Sequence, residues 1–66
     1  MKCNLRVARA EARMTQQQLA DLIGVSRQTI NAIESGRFVP SAVLVLKIAR
    51  IFDRPVEVLF ALEEFD

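Results

Sequence analysis

The sequence predicts one all-α domain built as a compact bundle of five short helices, and three observations carry that prediction. Apolar residues recur at helical spacing in five successive stretches, good N-capping residues stand before several of them, and the two glycines, Gly24 and Gly36, each fall just past one. With 66 residues, 52% of them apolar, there is room for a single domain spanning 1–66, and no repeat, low-complexity tract or linker divides it.

Taken in order, Asn4 is expected to cap a first helix from roughly Leu5 to Arg13, with Leu5, Ala8 and Ala12 on one face. Thr15 followed three residues later by Gln18 is a capping-box pattern. It opens a second helix whose apolar stripe is Leu19, Ala20 and Ile23, closed by Gly24 in the left-handed conformation. Ser26 caps a third helix with Ile30 and Ile33 inward, and Gly36 stops it in the same way. In the loop that follows, Pro40 keeps Val39 out of helical geometry.

Ser41 opens a fourth helix reaching about Phe52, with Ala42, Val45, Ala49 and Phe52 expected inward. Pro55 suits the first position of a fifth helix running to about Phe60, with Glu57 favourably placed in its first turn. The acidic tail from Ala61 to Asp66 either frays or forms a short strand, pairing residues 1–4 with 61–65.

Composition excludes much chemistry. A domain of this size removes only about 60% of its extended surface from water, so it needs a staple, a partner subunit or very regular packing. Cys3 alone cannot form an internal disulfide, and with no histidine the common zinc sets and Ser-His or Cys-His catalysis cannot be assembled. The carboxylates are scattered and no glycine-rich phosphate loop is present, so neither an enzyme nor a site for a cofactor, metal or small molecule is expected. Cys3 reads as a free, unreactive apolar residue near the terminus. No apolar run approaches the ~18 residues of a membrane span, and the first residues lack a secretory apolar segment, which points to the cytoplasm.

Charge is uneven although the net is only +1. Residues 1–37 hold Lys2, Arg6, Arg9, Arg13, Arg27 and Arg37 against Glu11, Asp21 and Glu34, a surplus of +3, whereas residues 38–66 carry a net of −2. A polyanion partner on one side follows from that asymmetry.

The informative stretch is 16–35. Two helices there are joined by about three residues around Gly24, and the tight corner needs a small residue at the crossing and a residue free to take positive φ, which Ala20 and Gly24 supply. Such a corner fits a DNA-binding helix-turn-helix or an ordinary helical hairpin. With Ile30 and Ile33 inward, the third helix exposes Arg27, Gln28, Thr29, Asn31 and Ala32, with no acidic residue before Glu34. Those side chains match base edges in a major groove: Arg pairs with guanine O6 and N7, Gln and Asn with adenine, and small apolar groups touch the thymine methyl. A merely solvated face usually mixes Glu and Lys.

These residues resemble the helix-turn-helix regulators of the phage repressor and Cro type, the XRE-like family. The resemblance rests on Met14-Thr15-Gln16-Gln17-Gln18-Leu19-Ala20, on Gly24-Val25-Ser26-Arg27-Gln28-Thr29-Ile30, on Ile33-Glu34-Ser35-Gly36-Arg37, and on Pro40-Ser41, and covers nearly the whole chain. It implies a sequence-specific regulator of transcription, most often a repressor, bound to double-stranded DNA as a homodimer on a pseudopalindromic operator. It implies base readers at Arg27, Gln28, Asn31 and Ala32, and phosphate contacts from Gln16, Ser26, Thr29, Ser35, Arg37 and Phe38, the last three partly through their backbone. It also implies a partly buried structural ion pair between Arg9 and Glu34. The chain departs from the family at Arg13, where a glycine is usual, so that turn is expected to use another cap, leaving Arg13 free to reach DNA.

The fourth helix is more apolar than one buried face requires. The excess area predicts a two-fold dimer through Leu44, Ile48, Ile51, Val58, Phe60 and Leu62, the alternative being that several of these complete the monomer core. Two functions compete with a plain regulator: an antitoxin that represses its own operon, for which no toxin-binding tail is visible, and a protein-interaction module that never touches nucleic acid.

Overall fold

Capping sets the lengths of the helices. In the computed structural model, which describes residues 1–66, the elements are β1 (Lys2–Cys3), α1 (Leu5–Glu11), α2 (Gln16–Ile23), α3 (Arg27–Glu34), α4 (Ala42–Phe52), α5 (Val56–Leu59) and β2 (Phe60–Ala61). The capping box of α2 is complete, with Thr15 Oγ1 accepting from the Gln18 amide and Gln18 Oε1 from the Thr15 amide. Ser26 and Ser41 cap α3 and α4 through the amides of Thr29 and Leu44. Asn4 does not cap α1: its Nδ2 donates instead to the Val58 carbonyl at 3.3 Å, tying the start of α1 to α5.

All four longer helices end through a left-handed residue. Arg13 (φ 54°), Gly24 (φ 76°), Gly36 (φ 79°) and Asp53 (φ 51°) each follow a last helical turn whose carbonyls accept from the next two amides. Arg13 therefore corrects the expectation of a different cap. Its amide donates to the Ala10 carbonyl at 3.1 Å and that of Met14 to Arg9 at 2.9 Å, the bonding a glycine would give. The left-handed conformation costs a residue bearing a Cβ about 1–2 kcal/mol, offset in part by the entropy glycine loses on folding. Arg13→Gly is accordingly expected to raise the melting temperature by about 4 °C in a thermal melt, and Asp53→Gly by less, because aspartate tolerates this region better.

All five helices contribute fully buried large side chains: Leu5 from α1, Leu19 from α2, Ile30 and Ile33 from α3, Ile48 from α4 and Leu59 from α5. Ala8, Ala20, Ile23 and Phe60 complete the core. Ala12 is exposed, because α1 ends at Glu11 and the left-handed turn swings the chain away.

The register of α4 differs from expectation. Ile48 is the residue at its buried centre, flanked by half-buried Leu44, Val45, Ile51 and Phe52, while Ala42 faces solvent. At 100° per residue the inward face is turned by about 80° from the expected stripe. An almost wholly apolar helix fits either way, and its contacts with α2 and α5 decide. Val43 and Leu46 are consequently the residues left outside, 63% and 62% exposed.

Pro55 caps α5 in extended geometry instead of occupying its first turn, and the helix ends at Leu59. Phe60 then enters β2, which pairs antiparallel with β1 in the register Lys2 with Ala61 and Cys3 with Phe60. Of the two alternatives for the tail the strand is realised, but it begins earlier, at Phe60, because that ring is drawn into the core. No helix is long and apolar enough to cross a membrane.

Candidate nucleic-acid interface

The corner between α2 and α3 is fixed from inside. Leu19, Ala20 and Ile23 meet Ile30 and Ile33 in the core, and Gly24 and Val25 both donate to the Ala20 carbonyl, at 2.9 and 3.0 Å, turning the chain within three residues. The opposite side of α3 is thereby held outward. Arg27 and Gln28 are exposed, Asn31 and Ala32 half-buried, and with Arg37 these side chains line one shallow concavity. Gln28 and Ala32 also border a second hollow with Thr29 and Phe38. Carboxylates are absent from both linings.

The caps leave a further resource. They satisfy the third amide of α2 and of α3, so the first two N–H groups of each helix, on Gln16 and Gln17 and on Arg27 and Gln28, stay free for water or an anion. Ser26 and Thr29 touch each other through their hydroxyls at 3.0 Å beside the second of these ends.

Behind this face sits an ion pair. Arg9 Nε and Nη2 donate to Glu34 Oε2 and Oε1 at 2.6 and 3.0 Å, a bidentate fork joining α1 to the end of α3, and Arg9 Nη1 donates to the Met14 carbonyl at 2.8 Å. The Glu34 side chain has no solvent exposure, and Arg6 Nε lies 3.6 Å from its Oε1. Burial pushes the Glu34 carboxyl pKa up, but the hydrogen bonds from Arg9 and Gln16, the charge of Arg9 and the nearby Arg6 outweigh it and hold it below its ordinary value. Arg9 is held above its own, first by the hydrogen bond to Glu34.

Several of the groups expected to contact phosphates already have partners within the protein. Gln16 Nε2 donates to Glu34 Oε1 at 3.1 Å, so one amide hydrogen is already committed inside the protein and only the other, with the backbone N–H, faces outward. In the loop after α3, the amides of Arg37 and Phe38 both donate to the Ala32 carbonyl, at 3.0 and 3.2 Å, and those of Ser35 and Gly36 to Asn31 and Ile33. These backbone amides already have partners in the turn that closes α3. Ser35 Oγ likewise donates to the Ala32 carbonyl, at 3.2 Å.

Arg37 itself turns back over α3. Its Nε donates to Ser35 Oγ at 2.9 Å and its Nη2 to Asn31 Oδ1 at 2.8 Å. Sequence reading missed this bridge, for which the only signal was a basic residue directly after a glycine able to reverse the chain.

Of the six residues expected in a dimer interface, two are corrected. Ile48 is fully buried and Phe60 nearly so, because both fill the space between α4, α5 and the rest of the core. Leu44 and Ile51 are half-buried against that core, while Val58 and Leu62 are open to solvent.

Comparison with known proteins agrees with this geometry. A family model described as helix-turn-helix matches residues 5–59. The chain is similar to the uncharacterized HTH-type transcriptional regulator YgzD of Bacillus subtilis, 44% identical over 64 residues covering 97% of each chain. An uncharacterized HTH-type transcriptional regulator of Methanocaldococcus jannaschii is 47% identical over the same share of each. Among solved structures, the restriction-modification controller protein C.AhdI of Aeromonas hydrophila superposes with a TM-score of 0.77 at 34% identity, covering 85% of both chains. The SOS-response transcriptional repressor LexA of Eubacterium rectale gives 0.81 at 30% identity, over 96% of this chain and 67% of that one.

Proposed function

The chain belongs to the helix-turn-helix family of transcriptional regulators, and on that premise we propose that it is a sequence-specific double-stranded DNA-binding repressor acting as a homodimer on a pseudopalindromic operator. The observation that carries this reading is the outer face of α3, where Arg27, Gln28, Asn31 and Ala32 gather in one carboxylate-free concavity. Arg27 and Gln28 pair with base edges, Asn31 adds a third polar reader and Ala32 leaves room for a thymine methyl. Phosphates are held by the free amides that open α2 and α3, by the remaining N–H of Gln16 and by the hydroxyls of Ser26 and Thr29. Regulation needs no chemical step: the protein acts in the cytoplasm by occupying its site. Its structural neighbours, a controller protein and a transcriptional repressor, support the same role.

The dimer uses the apolar area left uncovered: Val43 and Leu46 on α4, with Val58 on α5 and Leu62 after β2, and Leu44 and Ile51 at their margins. A two-fold axis there would set two α3 helices ~34 Å apart, one turn of the duplex. Sedimentation at low micromolar concentration is expected to show a dimer, and a monomer alone would remove this part of the reading.

Salt tests the binding itself. Affinity for a mixed-sequence duplex is expected to fall with a log–log slope of about −0.9 for every phosphate neutralised, and a chain that binds no duplex even in dilute salt would overturn the proposal.

A further inference from the structure

The bridge between Arg37 and Asn31 has a consequence for which base is read. An arginine has only donors, so the Asn31 atom it meets at 2.8 Å must be the carbonyl oxygen Oδ1. That fixes the amide: Nδ2 is turned away from Arg37. The Arg37 side chain is itself held at a second point, because its Nε donates to Ser35 Oγ, and that hydroxyl is anchored on the Ala32 carbonyl of α3. Ser35, Arg37 and Asn31 are thus one hydrogen-bonded chain lying along the helix, and both Asn31 and Arg37 border the same concavity as Arg27 and Gln28.

A lone asparagine offers a donor and an acceptor, the complement of adenine N7 and N6. With one lone pair of Oδ1 taken by Arg37, what the pair chiefly offers is donors: Nδ2 of Asn31 and the unspent N–H groups of Arg37. The major-groove edge of guanine presents acceptors only, O6 and N7. We propose that Arg37 is a specificity-determining residue that positions Asn31, shifting it from an adenine reader to part of a donor-rich unit that selects guanine. This rests on the reading of α3 as a base-reading helix, and it replaces the expectation that Arg37 serves only as a phosphate contact.

The experiment uses the full chain and a duplex enriched by the protein from a random pool. Asn31→Ala first identifies the base pair that Asn31 reads, as the position where preference flattens. All four base pairs are then compared there for the parent protein and for Arg37→Met, which keeps the stem and removes every donor; Arg37 is exposed, so the fold tolerates the change. The parent is expected to prefer guanine over adenine by about tenfold, and Arg37→Met to abolish or reverse that ratio while leaving ratios at other positions unchanged. Equal weakening on every duplex with the ratio intact would make Arg37 a phosphate contact and sink the proposal, as would a parent preference for adenine at that position. Absence of binding by the parent protein would instead defeat the DNA-binding reading beneath it.

Discussion

Glu34→Ala is expected to unfold the domain or to lower its melting temperature by about 15 °C or more. The carboxylate is sealed from solvent and accepts from Arg9 and Gln16, with Arg6 nearby as a further cationic neighbour, so its removal strands the Arg9 guanidinium, only 14% exposed, with a single carbonyl partner. Breaking a buried pair in this way costs about 3–5 kcal/mol. A chain of this length has a total stability of roughly 3–10 kcal/mol, so the loss takes a large part of it. The effect reaches the candidate interface as well, since Glu34 ends α3 and Gln16 opens α2. A thermal melt followed by circular dichroism measures it, and an unchanged midpoint would show that the pair contributes nothing.

Acid titrates the same contact without a mutation. The folded pKa of Glu34 lies below its ordinary value of 4.5, so the stabilisation is present in full above that value and is lost as pH falls through the folded one. Between neutral pH and the acid limb the parent should therefore lose more stability than Glu34→Gln, which has no carboxyl to protonate. Parallel acid profiles would contradict the assignment.

Arg27→Ala and Gln28→Ala are expected to produce the second largest effects, this time on recognition. Both side chains are exposed, so neither substitution should change stability by more than about 0.5 kcal/mol. Each should remove about 1–3 kcal/mol of discrimination at its own base pair while leaving other positions alone. Binding to an array of single-base operator variants gives the test. Uniform loss at every position would mean that these residues hold phosphates and that another surface reads the bases.

Much of this was legible in the sequence because it is local. Capping boxes, N-cap serines and left-handed glycines act within four residues, and Thr15, Ser26, Ser41, Gly24 and Gly36 all do in the structure what their chemistry implies. The inward sets of α2 and α3 were legible for the same reason, since each helix has one apolar stripe and one polar face. Where two solutions satisfy the local rules, the pattern fails. The fourth helix is apolar on nearly every side, and only packing against α2 and α5 selects Ile48 as its buried centre. Arg13 shows the opposite error, because an expected glycine was replaced and yet the backbone kept the same turn. The bridge from Arg37 to Asn31 crosses a chain reversal, and residue types alone do not specify which side chains meet there.

Selection from a random pool of duplexes, followed by sequencing of those retained, puts the central claim to its sharpest trial. A protein that presents α3 to a major groove from each half of a symmetric pair should enrich an inverted repeat with centres about 10 base pairs apart, and Arg27→Ala should blur one position in both halves. Enrichment of no motif, or of one that survives the loss of Arg27 and Gln28 unchanged, would show that this helix does not read DNA.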